Sequence, residues 1–480
     1  MAALHIALVN AGRVEKVTAF TPPLGLLYLA AYVRQHHQAD ITILDQRAAD
    51  WTHEETVSQV VALKPDIVGV RCVTGAHRGL HILSQGIKQA LPDCLVVLGG
   101  PHVSAFGETL LDSTLADMLV RGEGEITFDS ILQAFQDNKD YSRIPGLIWR
   151  HEGEVITNPG QPPFIGELDS LPFPAYDLID IRRYWRLPTQ CFFPLLRNYI
   201  ALFTSRGCPW QCNYCHNIFG KNYRVHSAER VVDEIEHYVR AYGVSDLELV
   251  DDCFNLSADR VMEIADLMGR RNIKVRTAFP NGLRTDILRN DTADALAAMG
   301  AWYSGCALEC GSDRLQKMIG KNLNLPRFLE GVEMLVRRGV FTTGFTMIGF
   351  PTETEAEMRM TVDTACASML HSTFFFYVTP FPGTELYHQA MRWKPDRMKA
   401  VNFDESLTFF TGDAIVNLSE MPDDLFYGFA QKAYRKFYLN PGRIGRIIRD
   451  TRSKRTLPIH ALIFGDYCTR DFRLRRWLNI

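Results

Sequence analysis

The sequence predicts an α/β protein built as a doubly wound, Rossmann-like open sheet, then a partial (β/α)6 barrel, then a helical cap. Two rows of short β-branched runs separated by helical stretches are the first observation. The others are a proline-rich interval between the rows and the fading of strand signal after residue 392. The divisions fall at 1–138, 139–196, 197–392 and 393–480. With 480 residues, the chain is long enough for two or three cores.

In the first row the expected strands are His5 to Val9, Ile41 to Asp45, Asp66 to Val70, Leu95 to Gly99 and Met118 to Arg121. Helical patterns such as Leu24 to Gln35, Glu54 to Leu63 and His81 to Leu91 lie between them. Ligands of such sheets bind beyond the carboxyl ends of the strands. Those ends carry Asn10-Ala11-Gly12, Thr74-Gly75, Gly99-Gly100-Pro101-His102 and Gly122-Glu123-Gly124-Glu125. The glycines either admit a ligand close to the backbone or make tight turns. No GxGxxG follows the first strand, which disfavours a dinucleotide site.

The interval 139–196, with Pro159, Pro162, Pro163, Pro172 and Pro174, reads as a surface linker. The second row follows, with strands expected at Tyr199 to Thr204, Asp246 to Val250, Lys274 to Ala278, Trp302 to Leu308, Val340 to Ile348 and Ser372 to Val378. Successive β/α units of this kind place chemistry at the carboxyl ends of the barrel strands. The final segment is helical, basic and aromatic, as in Arg443 to Arg455. Such a run is either a solvated helix face or a contact for an anionic or membrane-held substrate.

A hydrophobic fraction of 46% with 22% charged residues is ordinary for a globular chain. The net charge of −3 provides no global field toward nucleic acid. The N-terminus has no basic region before its apolar stretch, and Pro22 and Pro23 interrupt the longest apolar segment, so neither a signal peptide nor a membrane span is expected. Eleven scattered cysteines do not form a disulfide framework and point to a reducing, cytoplasmic setting.

Three of those cysteines stand apart. Directly after the first barrel strand comes Cys208-Pro209-Trp210-Gln211-Cys212-Asn213-Tyr214-Cys215, a CxxxCxxC loop able to gather thiolates on one soft metal centre. Structural zinc takes four protein ligands, and His216 is poorly placed to be the fourth. Three thiolates on a [4Fe–4S] cluster leave one iron open to an external ligand.

This loop, in this place, resembles the radical S-adenosylmethionine (SAM) superfamily, in which SAM chelates the open iron and is cleaved to a 5′-deoxyadenosyl radical. The resemblance implies Cys208, Cys212 and Cys215 as cluster ligands. It implies Tyr214, Asp252, Arg284, Glu309 and Gly349 as SAM contacts, with Tyr214 and the Gly349 segment near the adenine. Asp251 is either functional or a strand-end carboxylate. Glu309 follows the apolar Ala307-Leu308 and needs a partner to be tolerated near a core. Cys310 is expected to pack.

The preceding domain, with Thr21-Pro22-Pro23-Leu24-Gly25-Leu26 and the glycine-rich strand ends, is similar to the cobalamin-binding branch of the same superfamily. That likeness implies cobalamin contacts from Asn10, Leu24, Gly25, Arg71, Thr74, Gly99, Gly100, Pro101, Gly122 and Glu123. The loop Asn10 to Glu15 lacks the Asp-x-His-x-x-Gly of histidine-ligating cobalamin proteins, which implies cobalt without a lower histidine and with Arg71 near that face. His77 and His102 read as surface or turn histidines.

The resemblance implies methylation of an unactivated carbon through a 5′-deoxyadenosyl radical and methylcobalamin. Ring closure or rearrangement without methyl transfer, and a non-catalytic cobalamin and Fe–S sensor, are the alternatives. The substrate, a small molecule or peptide, would enter between the domains, capped by Phe374-Phe375-Phe376-Tyr377 and Thr379 to Gly383, although such an aromatic run also reads as core. A low-potential donor such as flavodoxin or ferredoxin is the implied partner.

Overall fold

The computed structural model describes residues 3–12, 20–74, 77–191, 197–216, 218–399, 401, 416–458, 461–462 and 465. Arg13 to Glu15 and Gly75 therefore lie outside the described residues.

The first sheet contains β1 (Leu4–Asn10), β2 (Ala39–Asp45), β3 (Ile67–Arg71), β4 (Leu95–Gly99), β5 (Met118–Val120), β6 (Ile148–His151) and β7 (Glu154–Thr157) in the order β2-β1-β3-β4-β5-β6-β7. The strands β1 to β5 pair in parallel, with Ile6 beside Ile41 and Ile67. Residues of β1, β3 and β5 are almost all buried, as continuous apolar runs covered by helices on both faces require, while the edge strand β2 buries only Ile41, Ile43 and Leu44. Helix Leu24–His36 starts where Pro22 and Pro23 end and buries Leu24, Leu27, Tyr28 and Val33.

The interval 139–196 is more than the linker expected of it. Its hairpin β6–β7 extends the sheet antiparallel to β5, turning at Glu152-Gly153 with both residues at positive φ. Leu147, Trp149, Leu168, Tyr176 and Tyr184 are buried, so this stretch fills core space against both domains.

The second sheet has β8 (Tyr199–Leu202), then, after the two-residue ribbon of β9 (Ser205–Arg206) and β10 (Arg224–Val225), β11 (Asp246–Leu249), β12 (Arg276–Leu283), β13 (Ala301–Glu309), β14 (Phe341–Ile348) and β15 (Ser372–Tyr377). Its six strands run parallel in the order β8-β11-β12-β13-β14-β15, an incomplete barrel. β12 runs past the expected Ala278 through Pro280, and a register shift between Phe279 and Leu283 absorbs the missing N–H. Helix Ala228–Tyr242 is capped by Ser227 and stopped by left-handed Gly243, while a Thr354–Glu357 capping box opens helix Glu355–Ala367.

The open edge of β15 is covered by the C-terminal helix Asp423–Tyr438. Tyr434 and Tyr438 hydroxyls accept from the backbone N–H groups of Phe375 and Thr373, and Phe375 packs edge-on against Tyr434 and Phe437. Each aromatic ring buried there contributes about 2 to 3 kcal/mol.

Candidate functional site

The carboxyl ends of both sheets face one chamber of about 390 Å³. The first domain contributes Gly25, Arg71, Gly99, Gly100, Pro101 and Gly122, with Glu123 and Glu125 beside them. The barrel contributes Phe203, Arg206, His216, Phe219, Asp252 and Asn281. Gly100 sits at φ +95, and a Cβ there would lie 2.9 Å from the Cys72 carbonyl oxygen, so the backbone itself forms the wall. At Gly25 a Cβ would meet nothing within 4 Å.

Three of the expected cobalamin contacts stand behind this wall. Asn10 is buried, donates to Asp45 at 3.0 Å and accepts from Arg71 Nη1 at 2.8 Å. Leu24 is packed into the core, and Thr74 lies 3.3 Å from His102 Nδ1. Asn10 thus acts through Arg71, whose guanidinium pKa is lowered by burial and by nearby Arg47.

His102 is not the surface histidine expected: it is 1% exposed, stacks on His77 with ring centroids 4.1 Å apart, and is pushed down to about 3 by burial and then by His77.

Glu123 lines the chamber, but its carboxylate is committed. The β9–β10 ribbon sets Arg206 opposite Arg224, and both reach Glu123, Arg206 at 3.3 Å and Arg224 at 2.5 Å. Arg206 also donates to Glu125 at 2.7 Å, and Ile165 N donates to Glu123 at 3.0 Å. This cluster bolts the first domain to the barrel immediately before the cysteine loop.

The loop is held from several sides. Asp251 is buried and accepts from Thr204 N at 2.6 Å and Ser205 Oγ at 2.8 Å, which makes it a structural carboxylate. Asn213 N donates to the Ile319 carbonyl at 2.9 Å, and Leu386 N donates to that of Asn213 at 2.8 Å. Gly320, at φ +69, lies so close that a Cβ would meet the Gln211 oxygen at 2.4 Å.

Among the described residues no three Cys, His, Asp or Glu side chains converge as a ligand set. Cys212 and Cys215 share a hydrogen bond, which pulls Cys212 down to about 6 and raises Cys215. Cys208 adjoins them electrostatically, its pKa raised first by burial. Three cysteines on one short loop, two of them sharing a hydrogen bond, are a soft donor set suited to iron and sulfide.

The expected SAM contacts gather around this loop, except Asp252, which faces the chamber with its pKa raised by burial against the opposing pull of His216 and Lys221. Tyr214 packs with Phe350, ring centroids 6.2 Å apart, beside Gly349. Gly349 is at φ +98, and its N–H donates to Glu353 at 2.5 Å. Arg284 stacks 3.9 Å over Trp210 and pairs with Asp286 at 2.7 Å. Glu309 ends β13 at φ +60, an uncommon conformation for a side-chain-bearing residue, and its partner is buried Lys321 Nζ at 2.8 Å. Lys321 was not legible in the sequence. Cys310 is a fully buried thiol among Leu315, Ile319 and Phe350, the packing role expected of it.

The aromatic run on β15 divides by strand alternation. Phe375 faces the C-terminal helix, while half-buried Phe374 and Phe376 stack 5.3 Å apart on the other face with Phe345.

The chain matches the B12 binding domain over residues 11–132 and the radical SAM superfamily over residues 202–365. It is 30% identical over 432 residues to an uncharacterized methyltransferase of Pyrococcus horikoshii, PH0819, spanning 89% of this chain and 90% of that protein. The chain belongs to the cobalamin-binding radical SAM family. Within it, the cytidylyl-2-hydroxyethylphosphonate methyltransferase of Streptomyces wedmorensis is 26% identical, covering 78% of each chain. The anaerobic magnesium-protoporphyrin IX monomethyl ester cyclase of Rubrivivax gelatinosus is 25% identical over 87% of this chain and 74% of its own. The fold is that of the radical SAM methyltransferase TsrM from Kitasatospora setae, solved with cobalamin and a [4Fe–4S] cluster, with a TM-score of 0.71 and 20% identity over 92% of each chain. The family's cofactors are cobalamin, a [4Fe–4S] cluster and SAM, and the glycine wall and the three-thiol loop fit the first two. Among the described residues, no helix is long and apolar enough to cross a membrane.

Proposed function

We propose that this protein methylates an unactivated carbon of a small molecule or peptide. The observation that carries the reading is the single chamber shared by the glycine wall of the first domain and the Asp252 side of the barrel, just beyond the cysteine loop. When bound, the cluster and SAM supply a hydrogen-abstracting radical and the cobalamin a methyl group.

In this reading Cys208, Cys212 and Cys215 hold the cluster. Tyr214, Arg284, Glu309 and the Gly349 segment position SAM, with Asp252 between SAM and the chamber. Gly25, Gly99, Gly100, Pro101 and Gly122 would seat the corrin, with Arg71 in the same wall. Among the described residues, the first domain's part of the chamber lining includes Arg71 and no histidine. Phe203 and Phe219 give the substrate an apolar side within the chamber, whose lining does not include Phe345, Phe374 or Phe376, and the buried Arg206 and Glu123 cluster keeps water from the seam. A low-potential flavodoxin or ferredoxin serves as electron donor.

The cyclase likeness supports a second reading, ring closure without methyl transfer. Anaerobic turnover with both nucleosides quantified decides between them. Methylation yields S-adenosylhomocysteine and 5′-deoxyadenosine in a turnover-linked ratio, whereas 5′-deoxyadenosine without the homocysteine product sinks the methylase reading.

A further inference from the structure

The chain's charge is unevenly placed. Overall it carries 52 Lys and Arg against 55 Asp and Glu, yet residues 440 to 480 hold ten Lys and Arg against three Asp. A strongly basic end on a mildly acidic molecule is the composition of a surface for polyanions.

The structure adds an apolar component at the same place. In helix Pro441–Asp450, Arg443 and Ile447 turn inward. Arg443 is 2% exposed and donates to the carbonyls of Leu370, Phe437 and Ser368 at 2.9 to 3.0 Å, which fixes the helix to the barrel. The outward face carries Ile444 at 42% and Ile448 at 49% exposure, one turn apart, and Leu439 just before the helix is 70% exposed. Arg449, Arg452, Lys454 and Arg455 are exposed beside them. Arg449 pairs with Asp450, and Lys454 caps the helix through the Thr451 carbonyl at 2.8 Å. Arg452 and Arg455 have no ion pair among the described residues.

We propose that this C-terminal face docks the enzyme on an anionic phospholipid surface. Charge alone would serve any polyanion; branched apolar side chains exposed between guanidinium groups are what a headgroup and acyl-chain boundary accommodates. The placement leaves the reaction site free. The helix packs on Leu370 and His371, with His371 Nε2 3.0 Å from Asp450, and these residues precede β15, at the amino ends of the barrel strands. The chamber lies at the opposite, carboxyl ends, so the docked enzyme presents its mouth away from the lipid.

The test uses the full-length, anaerobically reconstituted protein in sedimentation with phosphatidylcholine vesicles, with and without phosphatidylglycerol. The expected result is binding only to the phosphatidylglycerol vesicles, weakened by salt. Ile444→Asp/Ile448→Asp and Arg452→Glu/Arg455→Glu each lower partitioning by about tenfold or more while leaving SAM cleavage at the wild-type rate. No binding beyond that to phosphatidylcholine overturns the proposal. So does binding that needs the arginines but is indifferent to Ile444 and Ile448, which would make the face a general polyanion surface. Self-association of the wild type without vesicle binding, abolished by the isoleucine substitutions, also overturns it, since a second copy would then be the occupant.

Discussion

On the first domain's side the chamber is walled by Gly69, Gly99, Gly100, Gly122 and Gly124, where backbone forms the surface; on the barrel's side it meets Arg206, His216, Asp252 and Asn281. The glycines leave much of the first wall to backbone, beside Arg71, Glu123 and Glu125, and such a surface suits a broad ligand held by shape. The second sets Arg206, His216, Asp252 and Asn281 among Phe203, Phe219 and Val250, and its polar atoms suit a small ionic ligand held at particular points. On the proposed assignment of the corrin to the first wall and SAM to the second, each wall should fail in its own way when altered.

The largest effect is expected from the cysteines. Replacing Cys208, Cys212 or Cys215 with Ala should remove the cluster and abolish SAM cleavage, while cobalamin uptake, followed by its visible absorbance, persists. Loss of both cofactors together would mean that the walls are not independent. The converse change is Gly25→Phe, which puts a ring into open space on helix Leu24–His36. Cobalamin affinity should drop by about tenfold or more with iron content unchanged, and the helix itself gains roughly 0.5 kcal/mol or less from losing a glycine.

Lys321→Met leaves Glu309 buried without its cation. Such a change costs about 3 kcal/mol or more in chemical denaturation, and the double change with Glu309→Gln should recover most of it. If the single variant is as stable as wild type, the ion pair does not hold the end of β13.

The smallest effect concerns Glu353, whose carboxyl is pushed up to about 8 by burial despite accepting from Gly349 N and Phe350 N. The folded chain keeps that proton where the unfolded chain has released it. Stability from this group is therefore full below the ordinary glutamate pKa and declines as pH rises from about 5 to 8. Glu353→Gln should flatten that slope in denaturation midpoints.

The parallel strands were legible because strands buried on both faces spell continuous β-branched runs, and the cysteine loop because its spacing is its chemistry. Hairpin β6–β7 was not, since Arg150, His151 and Glu152 dilute its pattern and prolines flank it. The partners of Glu123 and Glu125 are 101 and 81 residues away, and nothing local in Arg224 or Arg206 marks them as joints. Lys321 was hidden although its partner Glu309 is only 12 residues back, because an intervening helix carries the chain around before the two meet and a lysine in a polar Gly-Lys-Asn stretch reads as solvated. His102 was misread because a single histidine after Gly-Gly-Pro gives no sign of the His77 ring that stacks on it.

The joint of Glu123 with Arg206 and Arg224 also ties the two halves of the molecule together beside the thiol loop. Arg206 stands two residues before Cys208, so the first domain's grip on that guanidinium also helps set where the barrel's first thiol stands.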